Sequence, residues 1–470
     1  MLVAGTAALA FRSGGYFEDA RAIAGVVVWT LAAILALVLP RERLVPRPAG
    51  AVALTGLALL TAWTALAESW APLPELAADD LERLVLYTGA FVAALLAFSE
   101  PAARRWLEPG IALLALVVVG YGLAGRLLPG VVDLDSSATA EGRLEQPLTY
   151  WNAMGALAAI GAVLAARVAG DPARPRLRVA AGALAPLLGL GLYLSFSRGA
   201  LLAAVFGLAV LLCLVPRRSQ LAAAAVAAAG GGALALLATR FPTVESLASG
   251  GDPEREGLEM LLLTVLVCGL AGLGTWLAVR RAGMPAGAPV SSRARRAVAA
   301  IVVVALLIPV IGAPLAFEAG DAPERGADAG RFTSVGSNRY AYWRIALESV
   351  PDRPLKGVGP GGYRVLWMQE RPIDEAARDA HSLQLETAAE LGLPGLGFLA
   401  LFAGATFAAA AAALRRGPRV AGLVAALVAW AVSASVDWMW EMPTLGLVGL
   451  LLSAALVSES GATPASEAAD

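Results

Sequence analysis

His381 is the only imidazole in 470 residues. It lies in the stretch RDAHSLQLETAAELGLPGLGFLA, between acids and an apolar run. Imidazole is the side chain whose ordinary pKa lies nearest neutrality, so at such a boundary it suits proton removal from a hydroxyl. A solvated or capping histidine is the plainer alternative, and Ser382 is placed to cap a helix whose first-turn acid is Glu386. Arg198 stands in LYLSFSRGALLAAVFG between two apolar runs with almost no loop. An arginine there either snorkels as an anchor or binds an anion, and its planar fork fits a diphosphate. In SNRYAYWRIALESV, helical spacing puts Tyr340, Trp343, Ala346 and Leu347 on one face. Arg339 and Arg344 are offset from that face, and either can reach an anion.

Other polar residues carry less. Asn152 starts a helix beside Tyr150 and Trp151, and Asp437 and Glu441 stand among tryptophans in SVDWMWEMP. A belt of interfacial aromatics accounts for the rings, while the two acids suit contacts to sugar hydroxyls. Glu386 and Glu390, four residues apart, sit on one stripe of a short amphipathic helix expected to lie on the membrane, and either can orient the imidazole. Asp133 and Asp135 read as solvated. Gly357, Gly359 and Gly362 match G-x-G-x-x-G, but no buried strand precedes them and the surrounding loop cannot hold a dinucleotide domain. They read as a tight turn. One histidine and two cysteines (Cys213 and Cys268, both inside apolar runs) offer neither a disulfide framework nor a metal cluster. No metal and no cofactor is expected.

The elements that must position these residues are membrane spans. The chain is 58% hydrophobic and 16% charged, against about 25% charged in soluble domains. Its net charge of −1 provides no basic field for nucleic acid. Lysine occurs once, at Lys356, amid abundant arginine and alanine, a composition typical of GC-rich bacterial genomes. A span needs about 20 apolar residues in a helix, because lipid cannot satisfy an open backbone. Runs of that kind fall near 22–39, 50–67, 82–98, 109–128, 148–168, 177–194, 199–215, 220–238, 258–279, 297–316, 393–413, 420–437 and 443–457. An apolar stub at 1–11 is either one more span or a fragment of one. The sequence therefore predicts an all-α polytopic membrane protein with 13 to 14 transmembrane helices.

Short basic loops (41–47, 104–105, 173–178, 216–220, 280–296 and 415–419) alternate with acidic or mixed ones. By the positive-inside rule the basic set is cytoplasmic. That puts the long loop at 317–382, and His381 with it, on the extracytoplasmic face of the inner (plasma) membrane. The expected division is 1–139 for N-terminal spans, 140–316 for core spans with the Ser-Arg-Gly turn, 317–392 for a mainly helical catalytic loop, 393–457 for the last spans and 458–470 for a disordered cytoplasmic tail.

Three blocks together resemble the O-antigen ligase / O-antigen polymerase family: Ser197-Arg198-Gly199; Asn338-Arg339 through Trp343, followed by Pro354-Leu355-Lys356-Gly357-Val358-Gly359-Pro360-Gly361; and Ala380-His381-Ser382 with Leu385-Glu386, Ala389-Glu390-Leu391-Gly392 and Gly395-Leu396. The likeness runs from about residue 140 to 440, in order. It implies a polytopic glycosyltransferase that takes a glycan from an undecaprenyl-diphosphate carrier without nucleotide sugar or metal. Arg198 and Arg339 would correspond to the family's phosphate-binding arginines and His381 to its essential histidine. The implied partners are the lipid-linked glycan donor, a glycan or lipid-glycan acceptor, and membrane lipids. Many members have His-Asn where this chain has His381-Ser382, and the N-terminal part adds spans beyond the family's usual number. Ligases, polymerases and protein O-glycosylating enzymes share the motifs, so the acceptor stays open. The rival class is a multi-span transporter or flippase of a lipid-linked or anionic substrate. Clustering of the polar residues toward one face favours the transferase.

Overall fold

A computed structural model describes residues 1–172, 174–281, 290–312, 326–332 and 337–459. Among these residues every regular element is a helix. The first group comprises α1 (Leu2–Ala10), α2 (Glu18–Val38), α3 (Arg41–Leu44), α4 (Pro48–Ala67), α5 (Pro74–Ala97), α6 (Pro101–Arg105) and α7 (Leu107–Leu127). After a long loop come α8 (Trp151–Gly170), α9 (Pro175–Leu194), α10 (Arg198–Leu214), α11 (Arg218–Ala238), α12 (Pro242–Ser246), α13 (Pro253–Arg281) and α14 (Ser292–Gly312). The short α15 (Arg339–Ser349) and α16 (Tyr363–Glu370) precede α17 (Leu383–Arg416), α18 (Ala421–Val436) and α19 (Pro443–Glu459).

Among the described residues, ten helices are long and apolar enough to cross a membrane, and α10 and α19 are shorter apolar helices. α5 has a charged first half and an apolar second half. Together these follow the expected runs in order, so the protein is an all-α polytopic membrane protein. The stub at the start forms only the nine-residue α1, about 14 Å long and too short to span. Residues 313–316 of one expected span and 460–470 of the expected tail lie outside the described residues, as do parts of the 280–296 and 317–382 loops. Several helices begin on proline, including α4, α5 and α9. Its fixed φ suits the first turn, and the N–H it lacks would have no helical partner there.

The bundle has a clear inside. The spans containing α8 and α18 are each 89% buried within the protein, whereas α2 and α14 are 17% buried and present apolar side chains outward. Lipid supplies no hydrophobic force between helices, so small residues let the backbones close up. α8 is alanine- and glycine-rich for this reason. At Gly155 a Cβ would stand 2.8 Å from the Ala200 Cβ. The missing side chain therefore lets the centre of the bundle approach the turn that carries Arg198.

α17 was expected as a short surface helix followed by a span, and the break is present but the setting differs. Gly392 has φ 66 and ψ −170 inside the 34-residue α17, and Pro394 follows it. Proline has no N–H for the Glu390 carbonyl, and the kink releases the Ala389 carbonyl as well. The Gly-rich turn repairs both: the Val358 and Gly359 N–H groups donate to the Ala389 and Glu390 carbonyls at 2.9 Å each, while the Leu393 N–H donates to the Pro354 carbonyl at 2.7 Å. The G-x-G-x-x-G match is thus a turn that splices a broken helix. Residues 385–391 are all buried, so this part of α17 is a core element and does not lie on the membrane surface. Ser382 occupies the N-cap position but makes no side-chain cap bond. Its hydroxyl is buried and has no partner among the described residues.

Candidate active site at one end of the bundle

The N-terminal ends of α8, α10 and α15, the loop before α8 and the turn before α17 meet around one pocket of about 400 Å³. Arg198, Arg339, His381 and Asn152 all line it. Residues as far apart in the chain as Asn152 and His381, 229 positions, therefore share one cavity.

Arg198 is the first residue of α10, and Ser197 caps that helix by accepting from the Ala200 N–H at 3.3 Å. Phe196, just before the cap, has φ 47, which turns the chain sharply enough to start a new helix at the pocket wall. Arg339 begins α15 and reaches the same turn: its Nη1 lies 3.9 Å from where a Cβ on Gly199 would be. Its Nη2 donates to Asp437 Oδ2. Burial opposes the Arg339 charge, yet the Asp437 carboxylate holds its pKa above the ordinary arginine value.

Asp437 is the hub of this group. It is only 2% exposed. Oδ1 accepts from the Tyr150 hydroxyl at 2.8 Å and from the Trp438 N–H at 3.0 Å, while Oδ2 takes Arg339. Tyr150 also accepts from Asn152 Nδ2 at 2.7 Å. Burial and then the Asp437 charge push the Tyr150 phenol well above its usual range, so at neutral pH it is a hydrogen-bond donor. Asp437, expected to meet sugar hydroxyls, sits behind the pocket wall and fixes its cations.

His381 has φ 54, the left-handed region that histidine enters more readily than most side chains. Its Nδ1 lies 3.0 Å from the Asp379 carbonyl. A carbonyl only accepts, so the neutral ring carries its hydrogen on Nδ1 and leaves Nε2 as its acceptor nitrogen. Asp437 Oδ1 is 3.9 Å from Nε2, beyond hydrogen-bond reach but close enough to balance an imidazolium. Helix α15 holds the turn from the other side. Tyr342 packs its ring 5.0 Å from the imidazole, and Trp343 Nε1 donates to the His381 carbonyl at 3.1 Å. Positions 339, 342 and 343 share one helical face, so a single helix brings Arg339 to the pocket and steadies the His381 turn.

The remaining expected residues lie elsewhere. Tyr340 packs against Trp343 outside the pocket, and Tyr342 takes the place expected of it. The buried face of α15 is Tyr342, Trp343, Ile345 and Ala346, rotated from the expected one. Arg344 is on the outer surface, where it pairs with Glu348 at 2.8 Å. Glu386 and Glu390 line a separate small cavity with Asp80, Arg83 and Glu441. They act on backbone and leave the imidazole untouched: Glu386 accepts from the Ala380 N–H at 2.6 Å, and Glu390 accepts from the Tyr363 N–H at 2.9 Å. Glu441, also read as a sugar contact, is buried there, and burial raises its carboxyl to about 8 despite Arg83.

Sequence reasoning missed several wall residues, namely Arg143, Tyr150, Arg331, Asn338, Tyr342 and Glu375. The signal available was the crowding of Tyr150 and Trp151 before α8, for which an aromatic belt is the simpler reading. It also missed Arg378, which ties the histidine loop to the N-terminal helices by donating to Tyr16 Oη at 3.1 Å and Asp79 Oδ2 at 3.0 Å.

A polytopic membrane protein with a cationic, histidine-bearing pocket at one end of its bundle is the class that fold and site define. Residues 258–400 match the family model described as O-antigen ligase, so this stretch of the chain is similar to that family. The match takes in Arg339, His381 and the broken part of α17, a narrower stretch than the resemblance in the sequence. It associates the protein with membrane glycosyltransferase-like enzymes of O-antigen assembly. Among curated proteins none matches the chain.

Proposed function

We propose that this protein transfers a glycan from a polyprenyl (undecaprenyl) diphosphate carrier to a hydroxyl acceptor, with inversion, on the extracytoplasmic side of the inner membrane. The observation that carries the reading is the meeting of Arg198, Arg339 and His381 in one cavity, with Asp437 between Arg339 and the imidazole. The two guanidiniums hold the diphosphate and stabilise the charge that grows on the leaving oxygen. His381 Nε2 takes the acceptor hydroxyl proton as that oxygen attacks the anomeric carbon from the opposite face. The bond from the sugar to the diphosphate breaks, and the carrier leaves as the free diphosphate. Because diphosphate is already a good leaving group, the reaction has no need of the second carboxylic acid used by glycosidases. Asp437 keeps Arg339 in place and balances the transient imidazolium.

The test is reconstitution of the full chain in vesicles with a lipid-diphosphate-linked oligosaccharide and a glycan acceptor. His381→Ala is expected to reduce turnover by about 10²- to 10⁴-fold, the usual share of a general base, while donor binding persists. Arg198→Ala and Arg339→Ala are expected to weaken donor binding itself. Wild-type turnover in His381→Ala would end the proposal.

A further inference from the structure

The mechanism above leaves two cations of the pocket, Arg143 and Arg331, without work. Arg143, in the loop before α8, lines the same cavity as His381 and lies on the wall with Trp151. Its guanidinium carbon stands 3.6 Å over the Trp151 ring. Its Nε donates to the Ala140 carbonyl at 2.6 Å and its Nη2 to the Thr139 carbonyl at 2.7 Å. Those bonds and the ring fix the guanidinium in one orientation, at no cost when a ligand arrives, and leave Nη1 for that ligand. Carbonyls and a ring face orient a cation but do not neutralise it. The nearest carboxylate, Glu141, is 3.9 Å away and itself 41% exposed. Arg331 also lines the cavity. Burial, followed by the neighbouring Arg331 charge, lowers the Arg143 pKa to about 10, as a group would behave that lacks a close counter-ion.

Arg339 is different, since Asp437 already compensates it. The chain Arg143–Trp151–Tyr150–Asp437 links the two regions: the Trp151 and Tyr150 rings are 5.0 Å apart and the Tyr150 hydroxyl reaches Asp437 at 2.8 Å. The pocket therefore has two cationic regions, one at the histidine and one an aromatic pair away. We propose that Arg143, with Arg331, forms a second anion subsite that takes a sugar bearing a carboxylate or phosphate, apart from the diphosphate held by Arg198 and Arg339. The subsite rests on the glycosyl-transfer reading and makes it specific: the enzyme prefers an acidic glycan.

The experiment measures equilibrium binding to the full chain in lipid nanodiscs, so that transfer itself is not needed. The donor probes are a matched pair of short polyprenyl-diphosphate disaccharides, one carrying a hexuronic acid and the other the corresponding neutral hexose. A second matched pair, without lipid or diphosphate, represents the acceptor. Wild type is expected to favour the acidic member of one pair by at least about tenfold, the contribution of one charge-assisted hydrogen bond. The pair that shows the preference identifies whether donor or acceptor supplies the charge. Arg143→Gln, which can still bond the two carbonyls, is expected to bring that ratio to about one, and Arg143→Lys to restore part of it. Equal affinity for acidic and neutral members in both pairs would overturn the subsite while leaving the diphosphate reading intact. So would a ratio in Arg143→Gln unchanged from wild type. Failure of both donor probes to bind at all would overturn both readings.

Discussion

At the residue scale, the chemistry depends on how a buried carboxylate is shared. Asp437 has three donors within hydrogen-bond distance and His381 just beyond. Replacing it with asparagine preserves shape but leaves the Arg339 guanidinium desolvated with no counter-charge, which is far costlier than losing a surface ion pair. Asp437→Asn is therefore expected to lower transfer by about 10²-fold, roughly 3 kcal/mol of transition-state stabilisation. Because Asp437 works largely through Arg339, the double variant Arg339→Ala/Asp437→Asn should be little worse than Arg339→Ala alone. Steady-state kinetics of the four proteins in vesicles measure this, and fully additive losses would mean that Asp437 acts on some other group. The same residues show what a sequence can reveal. Arg198 and His381 stood out because a polar group at the edge of an apolar run is costly, and Arg339 was set apart from Arg344 only by the resemblance of its sequence block. The role of Asp437 was hidden, since its partner Arg339 lies 98 positions away and only folding reveals which cation it serves.

At the element scale, one broken helix sets the position of the site. α17 bends at Gly392, and the turn at 354–359 supplies the N–H groups and the carbonyl that the bend requires. A Cβ at Gly392 would lie 2.7 Å from the Leu355 carbonyl carbon and 2.8 Å from the Pro354 oxygen. Its backbone conformation is also one that L residues rarely adopt. Gly392→Ala is expected to destabilise the protein by several kcal/mol, combining about 1–3 kcal/mol of backbone strain with the clash. Gly397→Ala, in the same helix with open space around it, should be neutral or slightly stabilising, as helix propensity favours alanine. Thermal unfolding in detergent compares the two, and equal midpoints would rule out the splice as a source of stability. The bend was legible from Gly392 and Pro394 themselves. The burial of Glu386 and Glu390 was not: four-residue spacing of acids looks the same whether a helix faces water or backbone N–H groups. Helix α15 failed in a related way, because periodicity gives the width of an apolar face but its rotation depends on neighbours, here Trp367 against Tyr342 and the His381 turn against Trp343.

At the scale of the whole molecule, span order was legible because hydropathy is a one-dimensional property and lipid enforces it over every helix. The helices that proved central, α8 and α18, are rich in small residues, but so is the much less buried α11, so composition alone does not tell a central helix from a peripheral one. Orientation follows from a different force. The basic loops between α8 and α9 and between α10 and α11 lie at the ends of those helices opposite the pocket, since α10 leads from Arg198 at the pocket to Leu214 at its far end. Loops rich in arginine are retained in the cytoplasm, so the orientation we propose turns the pocket outward, where the glycan of a lipid-linked donor is displayed. Single-cysteine variants test it, on a background with Cys213 and Cys268 replaced by serine. Asp374, whose side chain is 95% exposed beside the pocket residue Glu375, reports the pocket end, and exposed Arg218 at the start of α11 reports the other. A membrane-impermeant maleimide added to intact spheroplasts should label Asp374→Cys fully and Arg218→Cys only after lysis. The reverse pattern would put the arginines and the histidine in the cytoplasm and remove the ground for an extracytoplasmic glycan transfer, whatever the pocket binds.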